Sequence, residues 1–229
     1  MKVVILQSNY IPWKGYFDLI NDADVFVFYD EVKYTKRDWR NRNKIYNKNG
    51  LHWLTIPVDN SFANSKISEV VIDSEWQETH FRSLYMGYRA APYFHQLEPL
   101  IEDYLHQKKW TSLKELNHYL IIKISEMLGI TTRFVDSATL NLDGDRVQRL
   151  VNICTQLGAT EYISGPAAKE YLKDSHHFFH EKNLKLSFKS YPVYPTYKQM
   201  AEPFEHAVSI LDLIAHIELS QIKKYIWDF

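Results

Sequence analysis

KVVILQSNYIPWKGYFDLINDADVFVFY (Lys2–Tyr29) decides the fold. Its first run, Val3–Leu6, is short, continuous and β-branched, as a buried central strand would be. Val25–Tyr29 reads the same way, and Phe17, Leu19 and Ile20 mark a short helix between them, ending near Asp22. Strand, helix and strand within about 30 residues make a βαβ unit, which predicts a parallel pair. The fold class is therefore α/β, with a Rossmann-like parallel sheet. Ligands of such sheets bind beyond the carboxyl ends of the strands. Gln7, Asn9, Tyr10, Trp13 and Gly15 occupy that edge. Gly15 would let the backbone approach a ligand, and the helix N-terminus offers N–H groups to a phosphate. The plainer reading is a tight turn capped by Ser8 or Asn9.

Directly downstream lies KYTKRDWRNRNKIYNK (Lys33–Lys48), which holds seven of the 27 basic residues and one of the 28 acidic ones. The net charge is only −1, so any electrostatic partner must be read by this local strip. Tyr34, Lys36, Arg37, Arg40, Asn41, Arg42 and Asn43 combine cations, amides and an aromatic ring. That mixture suits a phosphorylated, flat-ringed ligand: a nucleotide, a nucleotide-sugar or RNA. It would equally suit a solvated edge hairpin blunted by charge. Asn49-Gly50 between strand-like runs, Lys33–Ile45 and Leu51–Val58, predicts a hairpin, so the sheet carries a basic β-hairpin insertion.

Ile67–Ile72 reads as a further strand. Apolar residues at helical spacing then predict a helical insertion over about residues 76–130, followed by a strand at Thr132–Val135. Asp143 or Asp145 can cap a helix whose Val147, Leu150, Val151, Cys154 and Leu157 form one apolar stripe. Tyr162-Ile163 is a short strand. Ser164 and Gly165 precede Pro166 at the start of another helix, a junction that can bind an anion or serve as a plain cap. Leu184–Ser190 reads as a late strand, and terminal helices are expected at about 204–229. The second half is thus largely helical. With no repeat or linker, residues 1–229 read as a single domain.

One cysteine, Cys154, excludes an intramolecular disulfide and a Cys-rich zinc site. His176 and His180 have the i, i+4 spacing of a zinc pair, but Phe178 and Phe179 stand between them and no carboxylate does, so no metal is expected. MKVVILQ is too short for a signal peptide, and no apolar stretch approaches a membrane span. The expectation is a cytoplasmic protein with no membrane partner. Gly-x-Ser-x-Gly, Walker and Gly-x-Gly-x-x-Gly motifs are absent. Chemistry would then rest on positioning and on acid–base groups beside the strip, with Asp30 and Asp38 as the candidates.

QSNYIPWKGYFDLI, DVFVFYDEVKYTKRDWRNRNKI and GLHWLTIPV together resemble the signature of the WbqC-like family, and ISGPAAKEYL with YPVYPTYKQ resembles its C-terminal half. Ser8 stands where a proline is frequent in that family. The resemblance implies a place in O-antigen or surface-polysaccharide biosynthesis (lipopolysaccharide assembly) and the activity proposed for members, glycine transfer to an amino sugar. The opening is also similar to nucleotidyltransferase-like adenylate-handling enzymes. Their His-x-Gly-His motif would fall on Trp13–Tyr16, where neither histidine is present.

Joined to the strip, the resemblance implies an aminoacyl (glycyl) transferase acting on a nucleotide-linked amino sugar. Lys36, Arg37, Arg40 and Arg42 would hold diphosphate, Asn41, Asn43 and Tyr10 would orient base or sugar, and Asp30 or Asp38 would accept a proton. The acyl donor would be a glycyl adenylate made from ATP or a charged tRNA. Two alternatives stay open: an RNA-binding module, and a non-catalytic nucleotide-sugar-binding scaffold in a polysaccharide assembly complex.

Overall fold

The computed structural model describes residues 1–228. β1 (Lys2–Leu6), α1 (Lys14–Asn21) and β2 (Val25–Phe28) form the expected βαβ unit, with Val3 opposite Val25 in a parallel register. The chain then leaves the sheet. It builds a hairpin from β3 (Arg42–Asn47) and β4 (Gly50–Thr55), and three longer helices, α2 (Trp76–Tyr88), α3 (Phe94–Glu102) and α4 (Leu113–Met127). It returns as β5 (Arg133–Asp136), α5 (Arg146–Gln156), β6 (Glu161–Ser164), short helices α6 (Lys169–Leu172) and α7 (His176–His180), β7 (Lys185–Phe188) and α8 (Ile210–His216).

The five-stranded parallel sheet runs β5-β2-β1-β6-β7. The chain therefore builds outward from β1 in one direction, then resumes at β6 and builds in the other. β1 and β6 flank the topological switch point, where doubly wound sheets leave a crevice. Side-chain alternation divides each central strand between two cores. Val4, Phe26 and Phe28 enter a large core with α1, α2, α3, α4 and α8, while Val3, Ile5, Val25 and Val27 enter a smaller one with α5 and α7.

Three expectations need correction. The strand expected over Lys33–Ile45 begins only at Arg42. Residues 33–41 turn instead, because Thr35 and Asp38 bond to each other and Asp38 accepts the Trp39 N–H, local bonds that compete with a ladder. Ile67–Glu69 is a single 3₁₀ turn rather than a strand, tied down by isolated bridges from Lys66 and Val71. The first terminal helix starts at Ile210, where the Ser209 hydroxyl accepts the Leu211 N–H, and the second is a short 3₁₀ turn, Ile222–Tyr225. No described helix is long and apolar enough to cross a membrane.

Candidate functional site

A cavity of about 880 Å³ opens at the switch point, beyond the carboxyl ends of β1, β2 and β6. Gln7 enters it from the loop after β1, and Lys33 and Thr35 from the turns after β2. Ser164 and Gly165 follow β6, and Arg146 and Arg149 project from the first turns of α5. Asp145 caps α5, accepting the Val147 and Gln148 N–H groups at 2.9 Å each. The Val147 and Gln148 amides are thus occupied, and α5 presents its positive charge to the cavity through the two guanidiniums, that of Arg149 also donating from Nε to the Gly144 carbonyl at 2.9 Å. The Arg146 guanidinium lies 3.6 Å from the centre of the Tyr171 ring, which also lines the cavity. Such stacking pre-orients a planar cation. Gly165 has an ordinary extended backbone, and a Cβ built there would meet nothing within 4 Å.

A second, more apolar cavity of about 300 Å³ lies on the other side of the loop after β1, lined by Asn9, Pro12, Trp13, Trp39, Asn43 and Ala207. The backbone between the lining residues Asn9 and Pro12 is strained: Ile11, a β-branched core residue, has φ 37. Asn43 holds that conformation, its amide nitrogen donating to the Tyr10 and Ile11 carbonyls at 3.1 and 2.8 Å. Trp13 folds back over Gly15, where any Cβ would overlap the indole. Gly15 therefore makes room for Trp13 rather than for a ligand.

Arg40 ties together a residue of each cavity. One guanidinium nitrogen donates to Gln7 Oε1 at 2.5 Å and the other to Asn9 Oδ1. The loop is fixed from beneath as well. Asp30 is fully buried at the end of β2, with Oδ1 accepting the Ser8 N–H at 2.9 Å and Oδ2 sitting 2.8 Å from His118 Nε2. His118 stacks on Phe28, and neighbouring Asn117 donates to the Arg40 carbonyl at 2.9 Å.

Gln7, Ser164 and Gly165 thus meet at the larger cavity, and Asn9, Trp13 and Asn43 at the smaller one. Tyr10 is buried with its hydroxyl 2.9 Å from His80 Nδ1. Burial pushes His80 down to about 4, leaving a neutral ring. Tyr34 and Asn41 are also buried, Asn41 donating to the Ile56 carbonyl. Lys36 reaches out to Asn60 Oδ1, and Arg37 is exposed in a left-handed turn with φ 53. Arg42 lies over Trp53 on the hairpin's outer face. Asp38 is half-buried: burial pushes its carboxyl up, but the Thr35 hydroxyl, Arg40 and the Trp39 N–H outweigh this and hold it below the usual range. His176 and His180 are exposed on α7.

Sequence reasoning missed Lys33, Thr35, Arg146, Arg149 and Tyr171 as cavity residues. The available signal was the cap at Asp145. It marks the N-terminus of a helix in a parallel sheet, and such termini face the ligand-binding edge.

The molecule is therefore an α/β protein with a crevice at the switch point of a parallel sheet, lined by the cations Lys33, Arg146 and Arg149 and by the carboxylates Glu31 and Asp145. Residues 7–224 match the model of the WbqC-like protein family, and the chain belongs to that family. It is 43% identical over 218 residues, 94% of each chain, to a Mycobacterium tuberculosis (strain ATCC 25618 / H37Rv) protein described as uncharacterized protein Rv1507c. No solved structure matches it.

Proposed function

We propose that the chain is an aminoacyl transferase, glycyl in the simplest case, that acylates the amine of a nucleotide-linked amino sugar for surface-polysaccharide (O-antigen) assembly. The observation that carries this reading is the switch-point cavity with Lys33, Arg146 and Arg149 in its wall. The cavity's two carboxylates are engaged elsewhere, Glu31 with Lys66 and Asp145 with the α5 amides, so the three cations are left to complement a diphosphate, and Gly165 lets it approach the backbone. The smaller aromatic cavity takes the acyl donor, and the loop braced by Arg40 is the shared wall at which the two substrates meet. The new amide bond forms as the donor's carbonyl–oxygen bond breaks, and the proton lost by the amine ends on the released oxygen. Asp38, held ionised, orients Thr35 and Arg40. Bringing two substrates together in one geometry is the main catalytic resource on this reading.

The test is incubation of the protein with a dTDP-linked amino sugar, glycine and ATP, with and without charged tRNA, followed by mass spectrometry. A mass gain of one glycyl unit is expected, and should be lost in Arg146→Ala. No gain with any donor overturns the reading.

A further inference from the structure

The hairpin turns one face to the core and leaves part of the other open, although Tyr46 at its end is covered and donates to the Pro203 carbonyl. Asn43, Ile45 and Leu54 point inward and are buried. Trp53, opposite Lys44 in the register, points outward and is 45% exposed, and Trp39 beside it is 41% exposed. One open apolar side chain is ordinary, whereas two adjacent ones form a contiguous apolar patch, the kind that marks an interaction site. The two indoles lie 5.6 Å apart with their planes inclined by 32°, making one continuous aromatic step. The Arg42 guanidinium sits 4.2 Å and the Lys44 ammonium 5.3 Å from the Trp53 ring centre. Asp38, the one acid in Lys33–Lys48, is committed to Thr35 and the Trp39 N–H. Trp39 also forms a wall of the smaller cavity, so the step leads into it.

We infer that this step binds the single-stranded 3′ end of an RNA, with bases stacked on Trp53 and Trp39 and phosphates against Arg42, Lys44 and Arg37. Exposed aromatic faces flanked by cations are what an unpaired strand requires, since stacking tolerates any base and the cations track the backbone. A neutral saccharide would use the indoles but not the surrounding positive charge. An isolated mononucleotide would need only the enclosed cavity and not the open step beside it. The strand's last nucleoside enters the smaller cavity between Trp39 and Trp13. The inference rests on the proposed function only in what it adds there: the acyl donor is an RNA ester.

Fluorescence anisotropy with a short RNA hairpin carrying four unpaired 3′ nucleotides, and with the same hairpin blunt-ended, tests this. The tailed RNA should bind at least tenfold more tightly than the blunt one. Trp53→Ala and Trp39→Ala should each weaken it by about 5- to 150-fold, the effect of losing one stacked base. Both rings are partly exposed and outside the core, so circular dichroism should be unchanged and melting lowered only modestly, by the lost ring–ring and cation–π contacts. Lys44→Ala should reduce the slope of log affinity against log salt by about 0.7. Nucleoside diphosphate binding in the larger cavity should persist in Trp53→Ala, which separates failure of this inference from failure of the proposed function. Equal affinity for tailed and blunt RNA, or no effect of either tryptophan, overturns the inference. So does a neutral oligosaccharide that binds through Trp53 when RNA does not.

Discussion

Arg40 Nη2 donates to Gln7 Oε1 across 2.5 Å, fastening the cationic segment to the loop it was expected to assist. Its other terminal nitrogen holds Asn9. Gln7 faces the larger cavity and Asn9 the smaller, so one guanidinium ties together a residue of each. This is a different role from a diphosphate clamp, and the two predict different mutants.

Arg40→Lys keeps the charge but not the fork, since one ammonium cannot replace two rigidly spaced donors. The Arg40 side chain is only 14% exposed, so the freed amide oxygens are poorly rehydrated. A loss of about 1.5–3 kcal/mol is expected in urea denaturation, the range for hydrogen bonds to a charged group. Titration calorimetry should show ligands of both cavities weakened together. Weakening of a nucleoside diphosphate alone, at unchanged stability, would restore the clamp.

Two glycines should respond in opposite ways. Gly165→Ala adds a methyl that meets no protein atom, on a backbone any residue adopts, so melting should not change. The methyl projects where a ligand would lie, and nucleoside diphosphate affinity should fall at least tenfold. Gly15→Ala drives its Cβ into the Trp13 ring. Overpacking of this kind costs about 1–3 kcal/mol, so here the melting temperature should drop. Unchanged affinity in Gly165→Ala would remove that residue from the site.

The parts of this molecule legible in the sequence are those set by local pattern. β1, α1 and β2 follow from β-branched runs around a helical spacing, and the hairpin from its turn: Lys48 and Asn49 turn the chain and Gly50, at φ 95, opens β4. Lys33–Asn41 misled because strand-like composition there is overruled by side-chain bonds from Thr35 and Asp38. The cationic wall was illegible for another reason. Arg146 and Arg149 sit more than a hundred residues from Gln7 and meet it only because the strand order reverses at β1 and β6. Asp30 is a candidate in the sequence because it is acidic and adjacent to the strip; what the sequence does not show is that its two oxygens engage the Ser8 N–H and His118.

Asp38 tests the orienting role. Its carboxyl is held below the usual range, so it is a weak base. Asp38→Asn should raise KM, by loosening Thr35 and Arg40, and leave kcat within a fewfold. A folded-state value below the unfolded one gives stability that is full above about pH 4 and lost as pH falls through the folded value. Acid denaturation of Asp38→Asn should lack that component. A kcat drop of about 100-fold at unchanged KM would make Asp38 the base instead.

Lys14 gives an opposite pH signature. Its side chain is buried at the start of α1, with its ammonium donating to the Pro195 carbonyl at 3.3 Å and lying 4.9, 5.6 and 5.8 Å from the Tyr194, Tyr197 and Phe204 ring centres. Burial pushes it down to about 8, against a smaller opposing pull from Asp212. An unfolded lysine titrates near 10.4, so from about pH 8 upward the unfolded chain binds more protons than the folded one. Stability therefore gains a rising contribution as pH passes 8, one that is absent at neutral pH. Above about pH 10 tyrosine ionisation opposes it, because burial raises Tyr194 and Tyr197 and folding then holds their protons. The clean window is pH 8 to about 9.5. Lys14→Met, close in volume, should flatten the urea midpoint across that window. It should also lose the cation–π contacts with the three rings, each worth about 0.5–2 kcal/mol, so the variant's stability near pH 7 reports which effect wins. A rise between pH 8 and 9.5 that survives in Lys14→Met would place its origin in another group.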